Sequence, residues 1–327
     1  MGEGVKEKPN LMFRLLEGAF MALFHTAEFL FKILPPSLLY LIPKGIGAVF
    51  FYARPGMRRR LQTKISDAIP EITDPRELAR IGRRVCASVF MPTFDVFTLS
   101  RHGDRYMRKL KVIGIEKLEK ADAQGKGVVF TGVHVGAITI IHAVMAKLGK
   151  AYTPIAFNPA DTPMPRYIEA LEFYSGLAGC DVEEPVFFVG EDIIPKVRKH
   201  LKAGKRIGLT CDVDGNGVVE FFGRPAALAT GVAHFSYDSG APIVSFTLQR
   251  GRGPFDNRLI FFEPTYSDPT AERKVEVARL MGKVVKDAEE MIRMVPGQWI
   301  SWFGLWQWWD TAKEIMERKG TAGGARK

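Results

Sequence analysis

The sequence predicts an α/β protein with a mixed, largely parallel sheet flanked by helices and preceded by an apolar N-terminal helical segment. Three observations predict this class. From residue 110 onwards, short β-branched runs alternate with segments of helical apolar spacing. Hydrophobic residues make up 46% of the 327-residue chain and charged residues 25%, a globular balance that excludes coiled coil and general disorder. Residues 11–53 are unusually apolar.

Five runs in the alternating part are typical of buried strands, and they cover residues 127–133, 152–157, 206–211, 243–248 and 258–262. Six segments have helical spacing, namely residues 74–101, 139–148, 164–177, 192–201, 229–237 and 271–294. Strands separated by helices favour parallel pairing. From the apolar N-terminal segment and this alternation we expect three parts of the chain. They are membrane-associated helices over 1–55, an α/β domain over 56–318 and a disordered tail over 319–327.

The apolar segment 11–53 raises the question of a membrane. A spanning helix needs about 20 uninterrupted apolar residues, whereas the longest charge-free run here, 33–43, has 11 residues and three prolines. This pattern favours a helix that lies in the bilayer interface, and a helical hairpin buried against the protein's own core is the alternative. Basic residues follow the segment and would either face anionic lipid or form a solvated helix face. They are Arg54, Arg58, Arg59, Arg60 and Lys64.

Charge and cysteine content narrow the classes of partner. The formal net charge of +10 favours a phosphate-bearing partner, whether anionic lipid, nucleic acid or a phosphopantetheine-type group. The chain contains no recognised nucleic-acid-binding motif, so we expect no nucleic-acid partner. Cys86, Cys180 and Cys211 have no metal-ligand spacing, so we expect neither a disulfide framework nor a metal site.

Candidate chemistry lies at the ends of two predicted strands. His134 directly follows the strand 127–133, and ligands of open α/β sheets collect at the carboxyl ends of strands, so His134 is the first catalytic candidate among six histidines. Asp212 and Asp214 follow the strand 206–211. The alternative for these aspartates is a simple turn, because Asp-Gly is a strong turn signal. The alternative for Arg224 is a surface cation.

Several motifs occur in a specific order: H-V-G (134–136), D-V-D-G (212–215), F-F-G-R-P-A (221–226), T-G (230–231), G-A-P-I-V (240–244) and V-P-G-Q-W (295–299). In this order they resemble the lipid A biosynthesis lauroyl/myristoyl acyltransferase family of the lysophospholipid acyltransferase superfamily, over residues 35–310. The resemblance implies a glycerolipid-acyltransferase-like fold at the cytoplasmic face of the inner membrane. It also implies transfer of a fatty acyl chain to a lipid hydroxyl. The donor would be an acyl carrier protein or coenzyme A thioester, which is a substrate rather than a bound cofactor.

The resemblance also assigns roles to individual residues. His134 would be the general base that deprotonates the acceptor hydroxyl, and Thr139 would orient it. The substrate-binding residues would be Gly136, Asn158, Asp212, Asp214, Phe222, Gly223, Arg224 and Thr230. Among them, Asp212, Asp214 and Arg224 would shape the pocket for the acceptor or its phosphate. No metal ligand is expected.

The chain departs from the family pattern at three places. The family has a carboxylate five residues after the histidine (the HX4E/D motif), whereas this chain has Thr139, which brings no negative charge. The arginine expected after the Asn158 block is absent, and an aromatic run at 303–309 replaces a basic ending. A substitute carboxylate from Asp95, Asp212 or Asp214 could restore the missing charge.

Two functions therefore remain open. The first is an active acyltransferase. The second is a catalytically impaired relative that serves as a lipid-binding or assembly subunit with a membrane-protein partner. Five tryptophans within 299–309 fit an interfacial belt or a protein interface, although we expect core packing for Trp299. A carboxylate within hydrogen-bond reach of His134 would favour catalysis, and a His134 sealed from solvent would favour the second function.

Overall fold

The structure is a computed structural model that describes residues 11–176, 185–190 and 192–324. The α-helices in these ranges are α1 (Leu11–Ile33), α2 (Pro36–Leu39), α3 (Leu41–Ala53), α4 (Pro55–Ala68), α5 (Pro75–Lys109), α6 (Ile115–Asp122), α7 (Ile141–Lys147), α8 (Pro165–Ser175), α9 (Ile193–Lys202), α10 (Gly231–Ser239), α11 (Arg273–Met294) and α12 (Leu305–Gly324). Short 3₁₀ turns lie at Ile138–Ile140, Pro159–Asp161, Pro296–Gln298 and Ile300–Phe303.

The strands are β1 (Lys111–Ile113), β2 (Val128–Gly132), β3 (Thr153–Ala156), β4 (Phe187–Phe188), β5 (Arg206–Thr210), β6 (Asp214–Phe221), β7 (Arg224–Leu228), β8 (Ile243–Arg250) and β9 (Asn257–Phe261). Seven of them form one sheet in the order β1-β9-β8-β2-β5-β3-β4. Every neighbouring pair in this sheet is parallel except β8 and β9. Strands β6 and β7 form a separate antiparallel hairpin. The predicted class, a mixed and largely parallel sheet flanked by helices, is confirmed.

The central strand β2 shows how the sequence builds the core. All five of its residues are buried, and successive side chains of a strand point to opposite faces of the sheet. Val129 accordingly packs into one apolar cluster, whereas Val128 and Phe130 pack into the other. Because helices cover both faces of the sheet, a strand at this position needs apolar side chains on both of its faces, and a continuous apolar run provides them.

Most predicted elements lie within a few residues of the observed ones, but some differ. Helix α5 is longer than predicted and contains a kink at His102, where the backbone leaves the helical region. The hairpin of β6 and β7 was not predicted. Helix α12 continues to Gly324, so residues 319–324 of the predicted disordered tail are helical, and residues 325–327 lie outside the described residues. Cys180 also lies outside them.

The N-terminal helices pack against α5 and leave apolar side chains exposed. Phe24 of α1 contacts Phe97 of α5, with 4.9 Å between the ring centroids. One stretch in the described chain, Pro36–Ala53, has the length and composition of a membrane-crossing helix, and a third of it is buried. Lys64 differs from the expectation for the basic cluster, because it is buried and donates to the Phe303 carbonyl oxygen at 2.7 Å.

Candidate active site

His134 lies in the loop that follows β2, and the main chain of this loop is fixed on both sides. Val135 forms a bridge with Trp299, and Gly136 forms a bridge with Leu248 of β8. Gly136 has φ of +71°, and a Cβ added there would lie 2.1 Å from the Leu248 carbonyl oxygen. Only glycine fits this position. The predicted substrate-binding residue Gly136 therefore has a defined structural role, which is to let the loop pass close to β8.

Asp212 supplies the carboxylate that the sequence lacks at position 139. It follows β5, which is one of the two parallel neighbours of β2, so the ends of β2 and β5 meet at one edge of the sheet. The Nδ1 atom of His134 lies 2.8 Å from Asp212 Oδ1, and the His134 backbone amide donates to Oδ2 at 2.9 Å. Of the three substitute carboxylates considered from the sequence, Asp212 is the one that contacts His134.

Two further side chains hold the Asp212 carboxylate in place. Trp299 Nε1 donates to Oδ2 at 2.7 Å and Ser301 Oγ donates to the same oxygen at 3.0 Å. Asp212 is only 2% exposed. Four donors stabilise its buried charge, and they are Trp299 Nε1, Ser301 Oγ, and the backbone amide and ring Nδ1 of His134. The roles of Trp299 and Ser301 were not predicted from the sequence. The V-P-G-Q-W motif was the available signal, because it places Trp299 among the residues that carry the resemblance.

The protonation of His134 follows from this environment. Burial lowers the pKa of His134, but the charge of Asp212 and its hydrogen bond raise it by more, so the pKa is raised above the ordinary value of 6.5. The hydrogen bond to Asp212 fixes the proton of the neutral ring on Nδ1, which leaves Nε2 as the basic atom. The His134 side chain is 31% exposed, and its Nε2 has no hydrogen-bond partner among the described residues. His134 is therefore not sealed from solvent.

The backbone amides of this loop are already occupied. Those of residues 134–137 donate, in order, to Asp212 Oδ2, to the Val133 carbonyl, to the Gln298 carbonyl and to the Leu248 carbonyl. An oxyanion hole needs donors aimed at the developing negative charge. These four amides are not available for that purpose, so any oxyanion donor must come from another part of the protein.

Thr139 does not contact His134 through a hydrogen bond. Its Oγ1 atom is buried and has no hydrogen-bond partner among the described residues. Asp212, and not Thr139, therefore makes the contact that can orient the His134 ring. His142 is likewise separate from the site, because its Nε2 lies 3.1 Å from Ser175 Oγ and burial lowers its pKa to about 4.

The other two carboxylates considered from the sequence have different partners. Asp95 is buried and accepts hydrogen bonds from Arg250 and from Tyr40. Asp214 lies at the start of β6 and accepts from Trp308 Nε1 at 2.5 Å. Neither one contacts His134.

The F-F-G-R-P-A block spans the end of β6, the turn and the start of β7. Phe222 and Gly223 are the two turn residues, with φ of +52° and +69°, which is the geometry of a tight hairpin turn. The Phe222 amide donates to Glu289 Oε1 at 2.7 Å, and its ring lies 6.1 Å from Trp299. Phe222 thus supports the residue that holds Asp212. Arg224 lies over the Trp309 ring, with 4.5 Å from its Cζ to the ring centroid.

The remaining predicted residues have local contacts. Asn158 caps the 3₁₀ turn Pro159–Asp161 by accepting from the Ala160 amide at 3.0 Å, and its side chain is exposed. Thr230 is half-buried and directly precedes α10. In the described ranges, no three His, Cys, Asp or Glu side chains are grouped closely enough to hold a metal ion.

The tryptophans of the C-terminal segment are mainly core residues. Trp299 and Trp302 are fully buried, Trp308 and Trp309 are nearly so, and Trp306 is half-buried. The expected core position of Trp299 agrees with this arrangement. Four of the five rings therefore do not present the exposed aromatic surface that an interfacial belt or a protein interface requires.

Comparison with models of protein families gives a match that covers most of the chain. A family model described as bacterial lipid A biosynthesis acyltransferase matches residues 8–308, which includes His134, Asp212 and Trp299. Comparison with individual curated proteins gives no match. The family suggested by the motifs is thus confirmed over most of the sequence, and the chain belongs to the bacterial lipid A biosynthesis acyltransferase family.

Proposed function

We propose that this protein is an active, membrane-associated acyltransferase in which His134 is the general base and Asp212 orients it. The protein would transfer a fatty acyl chain from acyl carrier protein or coenzyme A to the hydroxyl of a lipid. The observation that carries the proposal is the 2.8 Å contact between His134 Nδ1 and Asp212 Oδ1. With Nδ1 donating to the carboxylate, Nε2 is left free to accept a proton.

The arrangement supports a direct transfer. Nε2 of neutral His134 takes the proton of the acceptor hydroxyl as its oxygen attacks the thioester carbonyl carbon. The tetrahedral intermediate then collapses, the C–S bond breaks, and the imidazolium returns the proton to the thiolate. Asp212 remains ionised and stabilises the imidazolium that forms between these steps. No covalent enzyme intermediate is needed.

Three observations favour this function over a non-catalytic subunit. The missing motif carboxylate has a replacement, and four donors hold that replacement in one orientation. The catalytic nitrogen also belongs to a side chain that is partly exposed. In addition, most of the tryptophans that would form a partner interface are buried in the core.

The surface of α1 supports association with a membrane. Its acidic groups face inwards, since Glu17 accepts from the Arg166 amide at 2.9 Å and Glu28 accepts from Tyr174 at 3.1 Å. Phe24 and Phe31 pack inwards, but seven other large apolar side chains of α1 are exposed, and they are Leu11, Met12, Phe13, Leu15, Leu16, Phe29 and Ile33. A surface helix of a water-soluble protein has the opposite arrangement. We therefore propose that this face contacts the cytoplasmic leaflet of the inner membrane.

An acyl-transfer assay with a matched pair of histidine variants tests the proposal. The purified protein in detergent would be given labelled acyl carrier protein and coenzyme A thioesters together with a total lipid extract. His134→Ala should reduce transfer by about 10³-fold or more, because removing the base leaves only binding effects. His25→Ala is the control, since its side chain is 65% exposed on α1.

The possible results separate the two functions. Transfer that persists in His134→Ala at the wild-type rate would show that His134 is not the base. If the wild-type protein transfers no acyl chain from either donor while lipid still copurifies, the result would instead favour a lipid-binding or assembly subunit.

A further inference from the structure

A cationic cavity of about 660 Å³ lies at the end of β8, apart from the predicted substrate-binding residues. Five basic side chains and one carboxylate line it, and these are Lys44, Arg84, Arg250, Arg252, Arg258 and Asp256. They come from α3, α5, the end of β8, the following loop and β9. We call this the Arg250 cavity. Such a concentration of positive charge attracts an anion.

Arg250 has an unused donor at the wall of this cavity. The residue is 8% exposed, and its Nε and Nη2 atoms donate to Asp95 Oδ2 at 2.8 Å and 2.5 Å. Tyr40 donates to the other oxygen of Asp95 at 2.6 Å and so fixes the carboxylate. The Nη1 atom of Arg250 is buried and has no hydrogen-bond partner in the described chain. Buried donors are nearly always paired in native proteins, so an unpaired one indicates a missing acceptor.

The carboxylate of the cavity does not neutralise the other cations. Asp256 is engaged by Lys111, with 3.8 Å between Nζ and Oδ1, and by the Arg252 amide at 3.3 Å. Within the described residues, neither Arg84 nor Arg258 has a carboxylate at ion-pair distance. Guanidinium groups that converge without a protein partner favour a phosphate, because their planar donors match its oxygens.

We propose that the Arg250 cavity binds a phosphate group through Arg250 Nη1, Arg84 and Arg258. The phosphate would belong either to a lipid headgroup or to coenzyme A. This assignment differs from the phosphate pocket expected from the sequence, since Asp212 is bonded to His134 and Asp214 to Trp308.

The cavity lies on the same side of the sheet as the candidate active site. Strand β8 runs parallel to β2, so their carboxyl ends point to the same edge of the sheet. Arg250 is the last residue of β8, and His134 follows the end of β2 by two residues. Gln298 connects the two regions. It exchanges two hydrogen bonds with the Arg250 main chain, at 2.9 Å and 2.7 Å, and its carbonyl accepts from Gly136 at 3.3 Å. A phosphate held in the cavity would therefore be anchored beside the loop that carries His134.

Calorimetric titration of the full-length protein in nonionic detergent tests the inference with four probes. The first three are dihexanoyl phosphatidic acid, coenzyme A and inorganic phosphate, and the fourth is dihexanoylglycerol, which lacks the phosphate. We expect at least one phosphate-bearing probe to bind, and the glycerol probe not to. Arg84→Gln and Arg258→Gln should each weaken that binding about tenfold, which is the effect of losing one charge-assisted hydrogen bond.

The controls make each result decisive. Arg76→Gln, on the same helix as Arg84 but outside the cavity, should bind like the wild type. His134→Ala should also bind normally, so a failure of the proposed catalysis would leave this inference standing. Arg250→Gln is a poor test on its own because it leaves the buried Asp95 without its cation.

If only phosphatidic acid binds, the phosphate in the cavity comes from a lipid headgroup. If only coenzyme A binds, the phosphate comes from the acyl donor. Absence of binding by all three phosphate probes would overturn the inference. Equal affinities of wild type, Arg84→Gln and Arg258→Gln would overturn it as well.

Discussion

Replacing Asp212 by Asn exchanges one carboxylate oxygen for an amide nitrogen at almost constant side-chain volume. Three donors converge on Oδ2, from the His134 amide, Trp299 and Ser301, whereas only His134 Nδ1 contacts Oδ1. The oxygen of the new side-chain amide should therefore take the Oδ2 position, and its NH₂ group should face Nδ1. An NH₂ group can only donate there, so His134 must place its own proton on Nε2.

This change of tautomer removes the base without removing the histidine. With its proton on Nε2, the neutral ring can no longer accept a proton from the acceptor hydroxyl. The equivalent exchange in a serine-protease triad lowers kcat by about 10⁴, and we expect a loss of about 10³ to 10⁴ here. The fold should survive, because three of the four hydrogen bonds are kept and the fourth only reverses its direction, at a cost of about 1–3 kcal/mol for the lost charge.

The assay is acyl transfer from a labelled thioester, measured as a function of pH beside thermal unfolding of each variant. In the wild type, Asp212 raises the pKa of His134, so the acid limb of kcat/KM should lie above 6.5. In Asp212→Asn only the lowering effect of burial remains, so the limb of the residual activity should move to lower pH. Turnover within threefold of the wild type, in a folded variant, would refute the role assigned to Asp212.

Three further predictions test other parts of the structure. Thr139→Val should keep wild-type turnover and raise stability by about 1 kcal/mol, because it removes a buried hydroxyl that has no partner; a hundredfold loss of turnover would contradict this. Gly136→Ala should lower the free energy of unfolding by about 2 kcal/mol or more, since its φ is positive and a Cβ would meet a main-chain oxygen; an unchanged melting temperature would count against the described loop. The double variant Leu15→Gln/Phe29→Gln should bind anionic vesicles at least tenfold more weakly in flotation, because these side chains are 66% and 60% exposed on α1. Val275→Gln, at a residue 60% exposed on α11, is its control and should float like the wild type.

The family and the class of fold could be predicted from the sequence because both depend on local patterns. The run at 127–133 is apolar and β-branched, and such a run forms a buried strand wherever helices cover both faces of a sheet. The position of His134 directly after that strand follows from the same pattern. Glycine at 136 likewise has a local conformational reason, since its φ is +71°.

The partner of His134 depended on contacts that are distant in the sequence. Asp212 is 78 residues from His134, and Trp299 is 87 residues from Asp212. The family motif pointed to Thr139, and its position could be read from the sequence because it lies only five residues after the histidine. Which strand lies beside β2 is decided by the pairing of the whole sheet. Only that pairing brings the end of β5 next to the histidine.

The same distinction applies to the aromatic C-terminal segment and to the Arg250 cavity. The sequence determined that five tryptophans lie close together, but an exposed belt and a buried core have the same composition. In the folded chain Trp299 packs against the hairpin of β6 and β7 and is buried in the core, as its contact with Phe222 shows. The excess of positive charge was evident from the sequence, whereas its concentration around Arg250 was not. Composition fixes the total charge of a chain, but the location of that charge depends on which distant side chains folding brings together.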